Sequence, residues 1–542
     1  MTTRTELQNP EAFGLPSADT LARLAAGYFP EFNPGKCLDA AAAGDVATLS
    51  EGAAKAARAL GRLSAPGAVD ASPWAELARR FSEPGFDAAP AAAEAAPAQP
   101  AVPAGVISPR VVPASAAEST AAGAAPAAPA AREQSGDPVI GSKSLSAIRA
   151  EFPILSENVN GRPVIWFDNG ATTQRPLAVI NRISDYYLHE NSNVHRAAHE
   201  LAARSTDAYE GARQAVADFI GAPSKDDVVW MRGTTEGINL VAQAFVRPRL
   251  RPGDEILVSE LEHHANIVPW QLIAQATGAV IRVIPVDERG DIDLRVLPTL
   301  FTRRTKFLTV AQVSNTLGTI TPVAEIIALA HRHGVPVLVD GAQSAAHLPV
   351  NVTALDADFF VFSGHKIYGP NGIGAVYGRR ELWAEASPWQ GGGNMIRDVT
   401  FERTVYNEAP AKFEAGTGSI ADAVGLGATV KWLGGIGMAA VAEREHELTA
   451  YALSELARIP GLHIFGSPRA RSGVLSFTLD GVPVPAVGEH LNRFGIAVRA
   501  GHHCAQPVQR KFGLEGTVRP VLGIYNTEGE VDELVRAVRA LV

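Results

Sequence analysis

From about residue 142 the apolar residues follow two rhythms. Short unbroken apolar runs at 164–167, 228–231, 255–259, 280–286, 306–311, 335–339 and 359–362 read as buried strands. Longer stretches lie between them, such as 200–220 and 323–332, where apolar residues return every three or four positions, the spacing of one helix face. Strands alternating with helices predict an α/β domain around a mixed or parallel sheet. From roughly Phe413 the rhythm changes to two long helices, then strand-like segments at 474–479 and 496–499 and a last helix over 528–541, which predicts a smaller α+β domain.

The pattern breaks down upstream. Residues 91–130 contain 18 Ala and 7 Pro among 40, with Glu94, Arg110 and Glu118 as the only charges. Proline at that density interrupts any helix and alanine buries too little surface to drive folding, so this stretch is expected to be a disordered, partly extended spacer. Before it, residues 21–30 and 77–86 look alike, each carrying Leu-Ala-Arg with Leu and aromatic residues on one helical face and a proline toward its end. They read either as segments that pack on the rest of the chain or as repeated docking motifs on a tethered arm. The expected division is an extension at 1–90, a linker at 91–140, a large domain at 141–412 whose N-terminal segment joins the small domain, and the small C-terminal domain at 413–542.

The formal charge of -9 over 542 residues leaves no concentrated basic surface, which argues against nucleic acid. Two cysteines, Cys37 and Cys504, cannot make a disulfide framework and fit a reducing compartment. The first residues lack an apolar signal core and no run reaches the length of a membrane helix, so a cytoplasmic chain with no membrane contact is expected.

Two strand ends carry the first chemistry. The run at 335–339 delivers Asp340 to a buried position, where a carboxylate needs a cation such as a protonated pyridine nitrogen. The run at 359–362 is followed by Ser363-Gly364-His365-Lys366, which sets an amine in a glycine-loosened turn, suited to carry an aldehyde cofactor. Together they imply pyridoxal phosphate.

Thr234 and Thr235 open a helix after the strand at 228–231, where amides and hydroxyls suit a phosphate, although a threonine there is more often a plain cap. Ser363 and His365 add donors beside Lys366. His263, in Glu262-His263-His264-Ala265-Asn266, follows another strand and could stack on a pyridine face. Adjacent histidines diverge and have no third ligand at metal spacing, so no metal is expected. In Arg499-Ala500-Gly501-His502-His503-Cys504 an arginine and two histidines surround a thiol with potential positive charge, which favours a nucleophilic thiolate. Arg519 is the candidate clamp for a carboxylate.

With Asp340-Gly341-Ala342-Gln343 and the stretches 232–240 and 262–270, these motifs resemble group II (SufS-type) cysteine desulfurases of the class V aminotransferase family, over roughly residues 145–542. The resemblance implies the fold type I architecture of pyridoxal phosphate enzymes: α/β, with a mixed, mostly parallel seven-stranded sheet and a smaller α+β C-terminal domain. It implies that Lys366 holds the cofactor and shuttles a proton, His263 stacks on its ring, Asp340 keeps the ring nitrogen protonated and Gln343 bonds the ring oxygen. Thr234, Thr235, Ser363 and His365 would hold the phosphate, with Thr417 reaching in from the second subunit of a homodimer. Asn315, Arg499 and Arg519 would bind the substrate, L-cysteine. Cys504 would take its sulfur as a persulfide, release alanine, and pass the sulfur to a SufE- or SufU-like acceptor, with slow turnover when none is present.

Two departures stand out. Gln390 precedes Gly391-Gly392-Gly393 where relatives carry Glu, and the first 140 residues have no counterpart in ordinary relatives. That extension resembles the cargo-loading region of desulfurases packaged in encapsulin nanocompartments, so an encapsulin-type shell protein is a further expected partner. Selenocysteine lyase or cysteine sulfinate desulfinase activity is the enzymatic alternative, and an assembly scaffold the non-enzymatic one.

Overall fold

Seven short strands form the central sheet of the protein, a computed structural model that describes residues 136–195 and 199–542. In chain order they are β1 Val228–Met231, β2 Glu255–Ser259, β3 Val280–Ile284, β4 Thr305–Ala311, β5 Val337–Asp340, β6 Phe359–Ser363 and β7 Gly374–Gly378. They lie side by side in the order β1-β7-β6-β5-β4-β2-β3. Ladders among β2 to β6 are parallel, while β7 runs antiparallel to both β6 and β1. This is a mixed, mostly parallel sheet, and its architecture is fold type I, as expected.

Alternate residues of β6 show how both faces are filled. Phe359 and Val361 pack into a core with Phe245, Phe307 and Trp383, while Phe360 and Phe362 point into a second core on the opposite face. Covered faces explain why these strands read as unbroken apolar runs rather than alternations. Edge strand β3 is the exception, with Val280 and Val283 exposed.

The described helices include α1 Leu177–His189, α2 Glu200–Ile220, α3 Thr234–Leu240, α4 Val268–Thr277, α5 Val323–Arg332, α6 Ile420–Ile436, α7 Met438–Leu456, α8 Val484–Arg493 and α9 Glu528–Arg539. A second, four-stranded sheet combines β8 Leu462–Ile464, β9 Phe477–Leu479, β10 Arg499–Gly501 and β11 Thr517–Arg519 in the order β8-β9-β11-β10. Its core joins Phe477 and Val518 to Leu448 of α7, Leu491 of α8 and Leu534 of α9.

Several sequence expectations shift. Residues 164–167 do not join the large sheet: Ile165–Trp166 pairs with Ile496–Ala497 and buries Phe167 in the small core, the way the N-terminal segment joins that domain. Strand β7 escaped notice because Gly374 and Gly378 bracket only three residues. The boundary drawn at 413 also falls too early, since α6 packs on α1 and α2 in the large core. The reason is steric: a Cβ on Gly427 would stand 2.6 Å from Cβ of Ala212, so glycine lets α6 approach α2 closely. Val139–Ile140, assigned to the linker, pair with Lys143–Ser144. The segments 21–30 and 77–86 and the spacer at 91–130 lie outside the described residues. Among the described residues no single helix is long and apolar enough to cross a membrane.

Candidate active site

The C-terminal ends of the parallel strands all face one way, and a cavity of about 230 Å³ opens there, the usual place for a ligand in such a sheet. Strand β5 ends in Asp340, strand β6 in Ser363 with Lys366 one turn further, and β2 leads into the His263 loop. The small sheet closes the cavity with Arg499, Arg519 and the His503-Cys504 turn. Lys366, Cys504, His263, Thr234, Thr235, Asp340, Gln343, Ser363, His365, Asn315, Arg499 and Arg519 all line this space. Thr417 does not: it is exposed, before α6.

At the base Asp340 is 5% exposed, and its carboxylate accepts the Ala342 amide at 2.8 Å. Burial raises the carboxyl pKa above its ordinary value, while the amide and the Lys366 charge pull the other way. Burial likewise lowers the Lys366 amine, and Asp340 partly offsets the effect. An amine poised toward its neutral form is a better nucleophile toward a carbonyl.

His263 is held by its own turn, Nδ1 accepting the Ala265 amide at 3.0 Å, which leaves the proton on Nε2. Burial, followed by the charge of Lys366, pushes its pKa down to about 3, so the ring is neutral at physiological pH. His365 is lowered to about 4, again by burial first. The Ser363 hydroxyl accepts the Thr234 amide at 2.8 Å and lies 2.8 Å from the Thr234 hydroxyl. Gly233 crosses beside it with φ 156°, and a Cβ there would stand 3.0 Å from Ser363 Oγ. Gln343 Nε2 donates to the Gly170 carbonyl at 2.9 Å, tying the strand β5 turn to the loop at 168–171.

On the opposite wall, register places Arg499 directly across from Arg519, so the two guanidinium groups share one face. Arg519 is 2% exposed, and burial lowers it to about 10, with Asp168 opposing and Arg499 adding to the effect. Its Nη2 stands 3.5 Å from Asp168 Oδ1 and its Nη1 donates to the Asn315 carbonyl at 2.8 Å. The Asn315 amide donates to the His503 carbonyl at 2.7 Å, and the His264 amide donates to the Cys504 carbonyl at 2.8 Å. His503 and Cys504 both adopt positive φ, 52° and 55°, so the thiol turn is left-handed over two successive residues.

One expectation about this turn changes. Burial drives His503 down to about 2, so it carries no charge beside the thiol. Lys366, Arg499 and Arg519 line the cavity together with Cys504. Three further residues went unremarked in the sequence: Asp168 beside Arg519, Arg175 acting on His365, and Glu262 beneath the His263 loop. Glu262 directly precedes the histidine pair, and an acid placed shortly after a buried strand was the available signal. Among the described residues no group of three or more His, Cys, Asp or Glu side chains is arranged to hold a metal ion.

Comparison with known proteins follows the same lines. Residues 165–534 match the aminotransferase class-V family model. A cysteine desulfurase of Synechococcus elongatus is 59% identical over 394 residues, 73% of this chain and 63% of that protein. A probable cysteine desulfurase of Mycolicibacterium paratuberculosis is 58% identical over 397 residues, 73% of this chain and 58% of its own length. The chain thus spans about three fifths of these curated relatives. A Dickeya dadantii cysteine desulfurase is 48% identical and is matched over 95% of its length and 72% of this chain. Among solved structures, the cysteine desulfurase CsdA of Escherichia coli superposes with a TM-score of 0.68 at 42% identity, covering 74% of this chain and 98% of that one.

Proposed function

This chain belongs to the class V aminotransferase family, and from that premise we propose that it is a pyridoxal phosphate-dependent cysteine desulfurase of the group II (SufS-type) kind. The observation that carries the proposal is one cavity lined by a buried amine, a buried carboxylate, a paired-arginine wall and a single thiol: Lys366, Asp340, Arg499 with Arg519, and Cys504. No residue set for simple hydrolysis requires that combination.

The donor set fits the cofactor. Asp340 offers a buried anion for a ring cation, the neutral His263 offers a flat face, and Thr234, Thr235, Ser363 and His365 gather donors for a phosphate. Arg519 Nε and His503 Nδ1, on residues that line the cavity, are buried without hydrogen-bond partners among the described residues, as in a cavity built for a polar occupant. When bound, pyridoxal phosphate supplies an electron-accepting ring that takes up charge developing at the substrate carbons.

The residues of the chain do the rest. Lys366 would hold the cofactor, and its amine, lowered by burial, would move the substrate Cα proton. Arg519 and Asn315 orient the substrate carboxylate, with Arg499 beside them. The Cys504 thiolate attacks the substrate sulfur: an S–S bond forms, the substrate C–S bond breaks with its electron pair left on carbon, and protonation of that carbon gives alanine. L-cysteine and the enzyme thiol thereby become L-alanine and an enzyme persulfide.

Brief incubation of the full chain with L-cysteine, followed by peptide mass measurement, tests this reading. One added sulfur on the Cys504 peptide, absent from Cys504→Ala, is expected. Alanine release unaffected in Cys504→Ala would overturn the thiol's role.

The proposal extends to a homodimer in which Thr417 reaches the partner's phosphate, to a SufE- or SufU-like sulfur acceptor, and to a cytoplasmic location. The Ala/Pro-rich composition and the two Leu-Ala-Arg segments support a further reading, loading into an encapsulin-type shell through residues 1–140. Undiminished loading of a chain lacking those residues into co-expressed shell would overturn it.

A further inference from the structure

Glu262 is a fully buried carboxyl that the proposed chemistry leaves unused, with 0% exposure immediately before the ring-stacking His263. Burial of an acid without a role is costly, so its contacts matter. One oxygen, Oε1, accepts the Ala311 amide at 2.9 Å and is bonded by the Ser259 hydroxyl. The other, Oε2, accepts from Asn266 Nδ2 at 2.5 Å. Asn266 is itself fixed, since its Oδ1 receives Trp270 Nε1 at 2.9 Å and the Thr309 hydroxyl at 2.7 Å. The carboxyl therefore bolts both ends of the 259–266 loop onto strand β4.

Its position on that strand gives the contact further meaning. Ala311 is the register partner of Asp340, so Glu262 grips the backbone alongside the residue expected to meet the ring nitrogen. One side chain thus touches the support of both ring contacts, His263 on the face and Asp340 at the edge. We propose that Glu262 is a positioning residue that couples the His263 loop to Asp340 and thereby sets how firmly, and in which charge state, the cofactor ring is held.

The electrostatics agree with the geometry. Burial raises the Glu262 carboxyl to about 8, with Asp340 adding to the rise and its three hydrogen-bond donors opposing it. Asp340 is the charged group acting on it, and Lys366 acts in turn on Asp340. The other contacts, from Ser259, Asn266 and the Ala311 amide, are uncharged. At neutral pH Glu262 is then a protonated acid beside Asp340. Above about pH 8 Glu262 places a negative charge next to Asp340, which favours a cation on the ring nitrogen.

This inference rests on the cofactor assignment above, and the test separates the two. Wild-type holoenzyme should show a Lys366-linked absorbance band that Lys366→Ala lacks; if wild type has no such band, the cofactor assignment is what fails. Given the band, its pH titration should contain a step near pH 8, and Glu262→Gln, which keeps the shape and removes the ionisation, should abolish that step. The variant should also release cofactor about tenfold more readily on dialysis, as expected when the new amide N–H faces one of the donors that now bond the carboxyl. Ser259→Ala, which removes a single donor, provides a milder variant should the glutamine form fail to fold, and should move the step to higher pH. A step that persists unchanged in Glu262→Gln, or stays put in Ser259→Ala, overturns the proposal.

Discussion

Asp168 is the side chain on which the arginine wall depends. It is the counter-charge 3.5 Å from a guanidinium that is otherwise almost sealed from water, and burial raises its own pKa against the pull of Arg519 and Arg499. Removing one partner of such a pair leaves the other uncompensated. Asp168→Asn should therefore raise KM for the amino-acid substrate about tenfold while changing kcat less, because the loss falls on binding. Steady-state kinetics check this, and an unchanged KM would remove Asp168 from the clamp. Much of the site was legible at this scale, because Asp340, Lys366 and Cys504 each follow a strand and carry chemistry a buried loop has no other reason to hold. Asp168 was not legible: its meaning comes from Arg519, 351 positions away (519 - 168), and nothing local marks the pairing. The neutral state of His503 was hidden for a related reason, since a run of basic letters does not reveal how deeply each ring is buried.

The turn after strand β5 shows what elements demand of single positions. A Cβ on Gly341 would lie 2.0 Å from the ring of Phe360, inside any tolerable contact, although the residue needs no unusual φ. Gly341→Ala should force Phe360 or the turn to move, displacing Asp340 and Gln343 with it. Overpacking of this kind costs about 1–3 kcal/mol, and cofactor content at purification should fall more than the thermal midpoint. A variant that keeps full cofactor content would show that the turn is free to adjust. Strand existence was readable here because both faces are covered and the apolar runs are continuous. Strand β7 was not, since two glycines and a length of five residues give no periodicity to detect. The boundary near α6 was obscured for the opposite reason, because a helix that is apolar all round signals burial without saying in which core.

Across the whole molecule, His347 and Glu445 join the segment following Asp340 to helix α7, which spans toward the small sheet. Nδ1 and the carboxylate lie 2.7 Å apart, both nearly without exposure. The Glu445 charge raises His347 against the opposing effect of burial, and burial raises Glu445. Each folded-state pKa lies above its unfolded value, so the native pair binds more protons than the unfolded chain. Its contribution is therefore fully present at low pH and is lost as pH rises, from the unfolded Glu range near 4.5 through and above that of His near 6.5. Thermal midpoints followed from pH 6 to 9 should decline more steeply in wild type than in His347→Gln. Equal slopes would show that the pair does not titrate with folding.

The left-handed turn that carries the thiol has a consequence for the proposed sulfur transfer. Carbonyls of two successive residues, 503 and 504, are tethered to Asn315 and to the His264 amide, so the mouth of the cavity has no slack from which a cargo-bearing arm could swing outward. If Cys504 takes up sulfur as proposed, whatever collects it must enter, bringing a slender and mobile reach of its own, and the visitor rather than the host would then govern the pace of collection.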